Sequence, residues 1–236
     1  MVTVGGRPIL WHIMKGYAHH GYTHFILCLG YKGQMIKDYF LNHRLLTTDF
    51  RLSTASNDIV LHDDETARDN FHITFADTGE DTLTGERLRI ASKYISPGQF
   101  MLTYGDGVSD IDLAALHAHH DRMRQAHGIV GTVTGVHPRS KYGLVETNEH
   151  GVITVFRQKP MLKDYTNGGF MVFEKEGVLP YLRDGEMIED AMMRMAQEGK
   201  LSLYNYDGFW HCMDTYEDMK ELNTQWTNQP KWKVWG

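Results

Sequence analysis

The stretch Phe100-Met101-Leu102-Thr103-Tyr104-Gly105-Asp106-Gly107 decides the fold class. An apolar run that stops at Gly-Asp-Gly reads as a buried strand delivering one carboxylate to the C-terminal edge of a sheet. Open α/β sheets bind their ligands at that edge. The flanking glycines let a ligand and its counter-ion approach the backbone closely. A carboxylate so placed can hold a hard cation such as Mg²⁺ against phosphate oxygens. Taken alone, Asp106 serves equally well as a turn or capping residue.

Working outward, helix-period and strand-like segments alternate. Pro8 suits the first turn of a helix carrying Ile9, Leu10, Ile13, Met14 and Tyr17 on one stripe. Residues 25–29 read as a buried strand, and Met35, Ile36, Tyr39 and Phe40 mark a second helix. Leu52, Ile59 and Leu61 suggest a hairpin before a strand near 73–75. Leu88, Ala91 and Ile95 fit a helix feeding the Phe100 strand, and Asp110 is a candidate N-cap for a helix through Leu113 and Leu116. Beyond it, strands are expected at 129–136, 144–146, 152–156 and 170–173. A helix through Met187, Ile188, Ala191, Met192 and Met195 should stop at Gly199, followed by a last strand at 201–206. Tyr216, Met219, Leu222 and Trp226 share the face of a final helix. The expected architecture is one α/β unit with a mixed sheet, largely antiparallel in its second half.

Composition narrows the function. At 236 residues and 42% hydrophobic, the chain can bury the core of one ordinary α/β domain. A formal charge of -6 with no basic run argues against nucleic acid as a partner. No apolar segment reaches membrane-spanning length, so no membrane partner is expected. Two cysteines, Cys28 and Cys212, lack metal-ligand spacing and argue against a disulfide framework, which fits a reducing, cytoplasmic setting. The 14 histidines include His117, His119 and His120 on one helix, but not at the i, i+4 spacing that aims two imidazoles together, and no site is assigned to them.

Several further motifs carry chemistry. Asp214, in Gly208-Phe209-Trp210-His211-Cys212-Met213-Asp214-Thr215, lies between a strand and a helix and reads as a helix cap or a second cation ligand. Asp110-Ile111-Asp112 has the form of a metal-binding DxD, although its place at a helix start favours capping. Lys159 at a strand end is a point charge suited to a phosphate. Gly168-Gly169 admits a close ligand such as a sugar, or marks a β-bulge. Gly5-Gly6 before Pro8 reads as a tight turn.

In order along the chain come Gly5-Gly6-Arg7-Pro8-Ile9-Leu10-Trp11-His12-Ile13-Met14, Gly30-Tyr31-Lys32-Gly33, Asp77-Thr78-Gly79, Thr84-Gly85 with Arg87-Leu88, and Thr103-Tyr104-Gly105-Asp106-Gly107-Val108. Asn167-Gly168-Gly169-Phe170, Gly208-Phe209-Trp210 and Met213-Asp214-Thr215 complete the series. In this order the chain resembles the sugar-1-phosphate nucleotidyltransferases over essentially its whole length, and among them the glucose-1-phosphate cytidylyltransferases.

The resemblance implies a Rossmann-like nucleotidyltransferase fold and a reaction joining CTP to α-D-glucose 1-phosphate. It divides the chain into a nucleotide-binding half (1–128) and a sugar-phosphate-binding half (129–236). It implies Mg²⁺ held by Asp106 and Asp214, with Lys159 as the third catalytic residue. Thr82, Arg87 and Gly105 would contact the nucleotide, and Gln158, Asn167 and Gly168 the sugar. A homo-oligomer and a role in cell-surface polysaccharide (O antigen) synthesis follow from the same likeness.

Two departures qualify it. Relatives begin with a strand and a GGxGTRL-type loop before the position matched by Met1. The expectation is therefore an N-terminally truncated chain that starts at an internal methionine, lacks the triphosphate cradle and turns over little. Loss of one well-placed donor costs about 10²–10³ in rate. The Glu-Lys-Pro of many relatives here reads Gln158-Lys159-Pro160, and an amide carries no charge with which to fix sugar choice. Two alternatives stay open: a non-catalytic sugar-phosphate-binding or regulatory homologue, and a nucleotidyltransferase using another nucleotide or sugar.

Overall fold

The structure, a computed structural model, describes residues 2–62 and 69–236. A short hairpin of β1 (Thr3–Val4) and β2 (Arg7–Pro8) leads straight into α1 (Ile9–His19). The apolar stripe of α1 buries Ile9, Ile13, Met14 and Tyr17 as its spacing predicts. Then follow β3 (His24–Leu29), α2 (Gly33–Leu41), α3 (His43–Thr47) and the hairpin of β4 (Phe50–Leu52) with β5 (Ile59–Leu61). β6 (His72–Asp77) returns beside β3 in parallel, and α4 (Thr84–Ala91) precedes β7 (Gln99–Leu102).

The strand that opened the sequence reading is thus shorter than expected. β7 ends at Leu102, and a second strand, β8 (Gly107–Ser109), begins just past Asp106. Asp106 therefore belongs to the loop between two strands. α5 (Leu113–His127) follows, and its N-cap is Asp112, not Asp110. The Asp112 carboxylate accepts from the backbone N–H groups of Ala114 and Ala115 at 2.9 and 3.0 Å. The periodicity of the apolar residues located the helix but left its first turn undefined by two residues.

The second half contributes β9 (Gly131–Val136), the hairpin of β10 (Leu144–Thr147) with β11 (Ile153–Arg157), and the long β12 (Thr166–Glu174). After α6 (Lys175–Val178) comes α7 (Ile188–Gln197), β13 (Leu201–Asn205), β14 (Trp210–Cys212) and α8 (Tyr216–Asn228). β13 is accordingly not the last strand. β14 was not expected, because three residues carry no periodicity to detect.

Four strands form a mixed sheet in the order β13-β9-β12-β7, with β9 and β13 parallel and the other pairs antiparallel. β7 from the first half of the chain pairs with β12 from the second, so one sheet spans both. Among the described residues β3 bonds only to β6, and β7 only to β12. Between the β3 and β7 edges runs a cavity of about 890 Å³, walled by Phe25, Leu27, Leu29, Phe100 and Leu102 and reaching Asp106.

Two apolar clusters flank the sheet. One joins α7 to β7 and β12 through Met171, Phe173, Ile188, Ala191 and Met195. The other joins α1, β8, β12 and the C-terminal tail. Trp232 and Trp235 are buried against Trp11 and His12, so the tail packs on its own core.

Candidate active site

β8 pairs antiparallel with β14, setting Trp210 opposite Ser109, His211 opposite Val108 and Cys212 opposite Gly107. The ladder closes where the Met213 N–H donates to the Asp106 carbonyl at 2.9 Å. Asp106 immediately precedes β8 and Asp214 follows β14 by two residues, so an antiparallel pair brings both acids to one end. Side chains alternate along a strand, which puts Trp210, Cys212 and Asp214 on a common face. Donor atoms of Asp106, Cys212 and Asp214 all lie within 4.8 Å of one another.

The electrostatics suit a cation. Burial, and then the Asp214 charge beside it, hold the Asp106 carboxyl above its ordinary value. Asp214 is held below its ordinary value by the Cys212 thiol and then by Lys141. The thiol donates to Asp214 Oδ1 at 3.1 Å, and Lys141 Nζ donates to Oδ2 at 3.0 Å. The lysine and the thiol thus hold different oxygens of Asp214. Two hard carboxylates so arranged fit a divalent cation that prefers oxygen donors.

The helix after the pair is capped by Thr215, whose hydroxyl accepts from the Asp218 N–H while Asp218 accepts from the Thr215 N–H. The Asp214 side chain is therefore released from the capping role that sequence position allowed. In the DxD segment the outcome is the reverse. Asp112 caps α5, and Asp110 accepts from the Phe209 N–H at 2.8 Å and from the Tyr206 hydroxyl. Both acids are occupied by protein donors.

Among the residues expected to serve the sugar phosphate, Lys159 adopts φ 45° and its Nζ lies 3.3 Å from Glu217, in the first turn of α8. Gln158 sits next to Gly143, where an added Cβ would meet its Oε1 at 3.1 Å. Asn167 is fixed at both ends of its amide: Oδ1 accepts from the Gly169 N–H at 2.9 Å, and Nδ2 donates to the Tyr104 oxygen at 3.0 Å. The Tyr104 hydroxyl in turn donates to Glu189.

For Gly168-Gly169 the β-bulge reading holds. The β9–β12 register shifts between Asn167 and Met171, and Gly169 has φ 82°. A Cβ on Gly168 would lie 2.7 Å from Val136, and one on Gly169 2.7 Å from the Tyr104 ring. The absence of side chains there serves close packing. The Gly168 carbonyl also accepts from the Trp210 indole at 2.7 Å.

Among the residues expected to contact the nucleotide, Arg87 donates to the Thr78 hydroxyl and the Gly79 carbonyl at 2.8 Å each, and to the Glu80 carbonyl at 3.0 Å. It binds the loop after β6 to α4. Thr82 closes against the same loop, its Oγ1 lying 2.5 Å from where a Gly79 Cβ would be. Gly105 is exposed with open space beside it, and with Arg87 and Asp106 it lines the large cavity. Sequence reasoning missed Cys212, Lys141 and Tyr104 as members of this neighbourhood. A spacing rule for cysteine ligands cannot find Cys212, because Asp106 reaches it only through the β8–β14 pair.

With that geometry in view, the class follows. Residues 1–229 match the family model for nucleotidyl transferases, and the chain belongs to that family. Over all of its length it is 40% identical to a probable glucose-1-phosphate cytidylyltransferase of Bacillus subtilis, spanning 91% of that protein. It is 36% identical to the glucose-1-phosphate cytidylyltransferase of Salmonella typhi, again over its full length and 90% of the relative. Among solved structures, UDP-glucose pyrophosphorylase complexed with UDP-glucose superposes with a TM-score of 0.64 at 14% identity, covering 97% of this chain and 90% of that one. At that identity the likeness speaks for the fold alone.

Proposed function

We propose that the chain transfers a cytidylyl group from CTP to α-D-glucose 1-phosphate, giving CDP-glucose and pyrophosphate. The observation that carries this reading is the meeting of Asp106 and Asp214 in a chain 40% identical over its whole length to a probable glucose-1-phosphate cytidylyltransferase.

A phosphate oxygen of the sugar phosphate attacks the α-phosphorus of CTP. The bond from that phosphorus to the bridging oxygen breaks, and pyrophosphate leaves with the electron pair. The attacking oxygen is already anionic, so no side chain has to remove a proton. Positioning and charge neutralisation are what such a transfer requires of the protein.

Asp106 and Asp214 are the residues that would hold Mg²⁺. When bound, the cation supplies positive charge between the reacting phosphates. Lys159 swings from exposed Glu217 to the sugar phosphate, an exchange of one weak surface pair for a dianion. Asn167, locked by Gly169 and Tyr104, presents its remaining amide N–H to the sugar, with Gln158 and the Gly168 segment beside it. Thr82, Arg87 and Gly105 shape the nucleotide wall of the cavity. Residues 1–128 serve the nucleotide and 129–236 the sugar phosphate.

The protein works as a homo-oligomer in the cytoplasm. Exposed Val145, Ile153 and Phe156 on the β10–β11 hairpin support a contact between copies, and two unpaired cysteines support a reducing setting. No helix among the described residues is long and apolar enough to cross a membrane.

The test is product formation by the purified protein from glucose 1-phosphate with CTP, UTP or dTTP in turn. CDP-glucose as the main product is expected. A preference for another nucleotide overturns the substrate assignment, and sugar-phosphate binding without product from any nucleotide would favour the non-catalytic alternative.

A further inference from the structure

The carboxylate pair has a third donor of different chemistry. Cys212 Sγ sits 3.1 Å from Asp214 Oδ1 and within 4.8 Å of an Asp106 oxygen. The β14 register aims it there. Cys212 shares a face with Asp214, faces Gly107 across the ladder, and follows Trp210, whose indole is pinned to the Gly168 carbonyl at 2.7 Å. The backbone bond from Met213 to Asp106 fixes the two strands on the other side of the thiol. Lys141 holds the far oxygen of Asp214, so the near oxygen, the thiol and Asp106 converge on one small volume.

Thiol and carboxylate differ in the cations they select. Mg²⁺ requires oxygen donors and leaves a thiol protonated, whereas Zn²⁺ and Cd²⁺ bind thiolate with short bonds and high affinity. Metal–ligand distances of about 2.3 Å to sulfur and about 2.0–2.2 Å to oxygen need only a small inward movement of donors already this close.

We propose that Cys212 is a third ligand of this site for thiophilic divalent cations, which bind as a Cys212–Asp106–Asp214 complex and exclude the cation of the proposed reaction. On binding, the S–H bond breaks, the proton passes to buffer, and the sulfur electron pair forms the bond to the metal. The charge count then changes. With the Lys141 ammonium at 3.0 Å included, two carboxylates and one divalent cation sum to +1, and an added thiolate lowers the centre to 0, which attracts phosphates less than the Mg²⁺ form. Thiophilic cations thereby convert the site into an inhibited form. The inference rests on the reading of Asp106 and Asp214 as cation ligands.

Titration of the intact protein with Cd²⁺, without substrates, tests it through the ultraviolet thiolate-to-cadmium charge-transfer absorption. One equivalent should saturate the band, with release of one proton measured by calorimetry in buffers of different ionisation enthalpy. Cys212→Ser should abolish the band and weaken Cd²⁺ binding by more than about 100-fold, beyond the range of losing a mere supporting partner. Cys28→Ser should keep the band, and Asp214→Asn should weaken Cd²⁺ binding by at least about 10-fold. A wild-type protein without the band, a band that survives Cys212→Ser, or Cd²⁺ affinity untouched by Asp214→Asn overturns the inference. Failure of the proposed reaction reads out separately, as absent CDP-glucose with Mg²⁺ and no thiophilic metal present.

Discussion

The Met213 N–H donates to the Asp106 carbonyl at 2.9 Å, and this one backbone bond joins two acidic segments that lie over a hundred residues apart in the chain. It ends a three-pair ladder and so determines that Asp106 and Asp214 face the same volume. The chemistry expected of either acid depends on the other being there.

Replacing one member of the pair should therefore disable the site without unfolding the protein. Asp214→Asn is expected to lower kcat/KM for CDP-glucose formation by about 10²–10³, the usual cost of losing a well-placed electrostatic group. Pyrophosphate release measured over a range of Mg²⁺ concentrations checks this. Activity within a few-fold of wild type at saturating Mg²⁺ would remove Asp214 from the cation site.

The DxD segment should behave in the opposite manner. Asp110→Ala leaves the Phe209 N–H and the Tyr206 hydroxyl without an acceptor, a loss of about 2–3 kcal/mol. Asp112→Ala removes the α5 cap and should cost about 1 kcal/mol. Chemical denaturation measures both. If either variant instead raised the Mg²⁺ requirement at unchanged stability, the capping assignment would be wrong.

Trp210 links the β8–β14 ladder to the β12 bulge, which the proposed reading assigns to the sugar, through its bond to the Gly168 carbonyl. Trp210→Phe keeps the ring packing and deletes the donor, so stability should fall by about 1 kcal/mol. The Michaelis constant for glucose 1-phosphate should rise more than that for CTP. Equal changes in both constants would mean that the bond does not serve the sugar side.

His12 makes folding sensitive to pH. Its Nε2 bonds to the Val4 carbonyl at 2.8 Å, and its Nδ1 faces the Trp232 indole donor, so the folded protein has no acceptor for a second ring proton. Burial, only partly offset by the Val4 bond, lowers its pKa from 6.5 to about 4. The unfolded chain then binds more protons between these values, and stability rises with pH across that window. The group's contribution is complete above pH 6.5 and is lost as pH falls towards about 4, by about 3 kcal/mol in all. Urea unfolding at pH 7 and pH 5 should differ by roughly 2 kcal/mol more in the wild type than in His12→Asn. Parallel pH dependence of the two proteins would show that His12 is not the titrating group.

Much of this was legible beforehand. The apolar stripe of α1, the apolar run of β3 (read as a buried strand, although only Leu29 of it is buried) and the face of α7 are local patterns, written in side chains three and four apart or two apart. The series of glycine and acidic motifs named the family before any contact was known, because its members share residue order. Gly199 and Asp112 show the limit of such local signals. A left-handed glycine ends a helix wherever it falls, whereas two nearby acids compete for one cap and only hydrogen-bond geometry separates them.

By itself, then, the sequence determined the α/β class and the family, and it singled out Asp106 and Asp214 as candidate cation ligands. Tertiary structure alone decided how they meet. β8 and β14 are three residues each, too short for any periodic signal, and their pairing is stabilised by contacts between distant segments. The same long-range register drew Cys212 beside Asp106 and Asp214, gave Asp110 to Phe209 and Tyr206, and turned the glycines of β12 into a packed bulge. A residue's type sets what chemistry it can offer, but its partners are supplied by the fold.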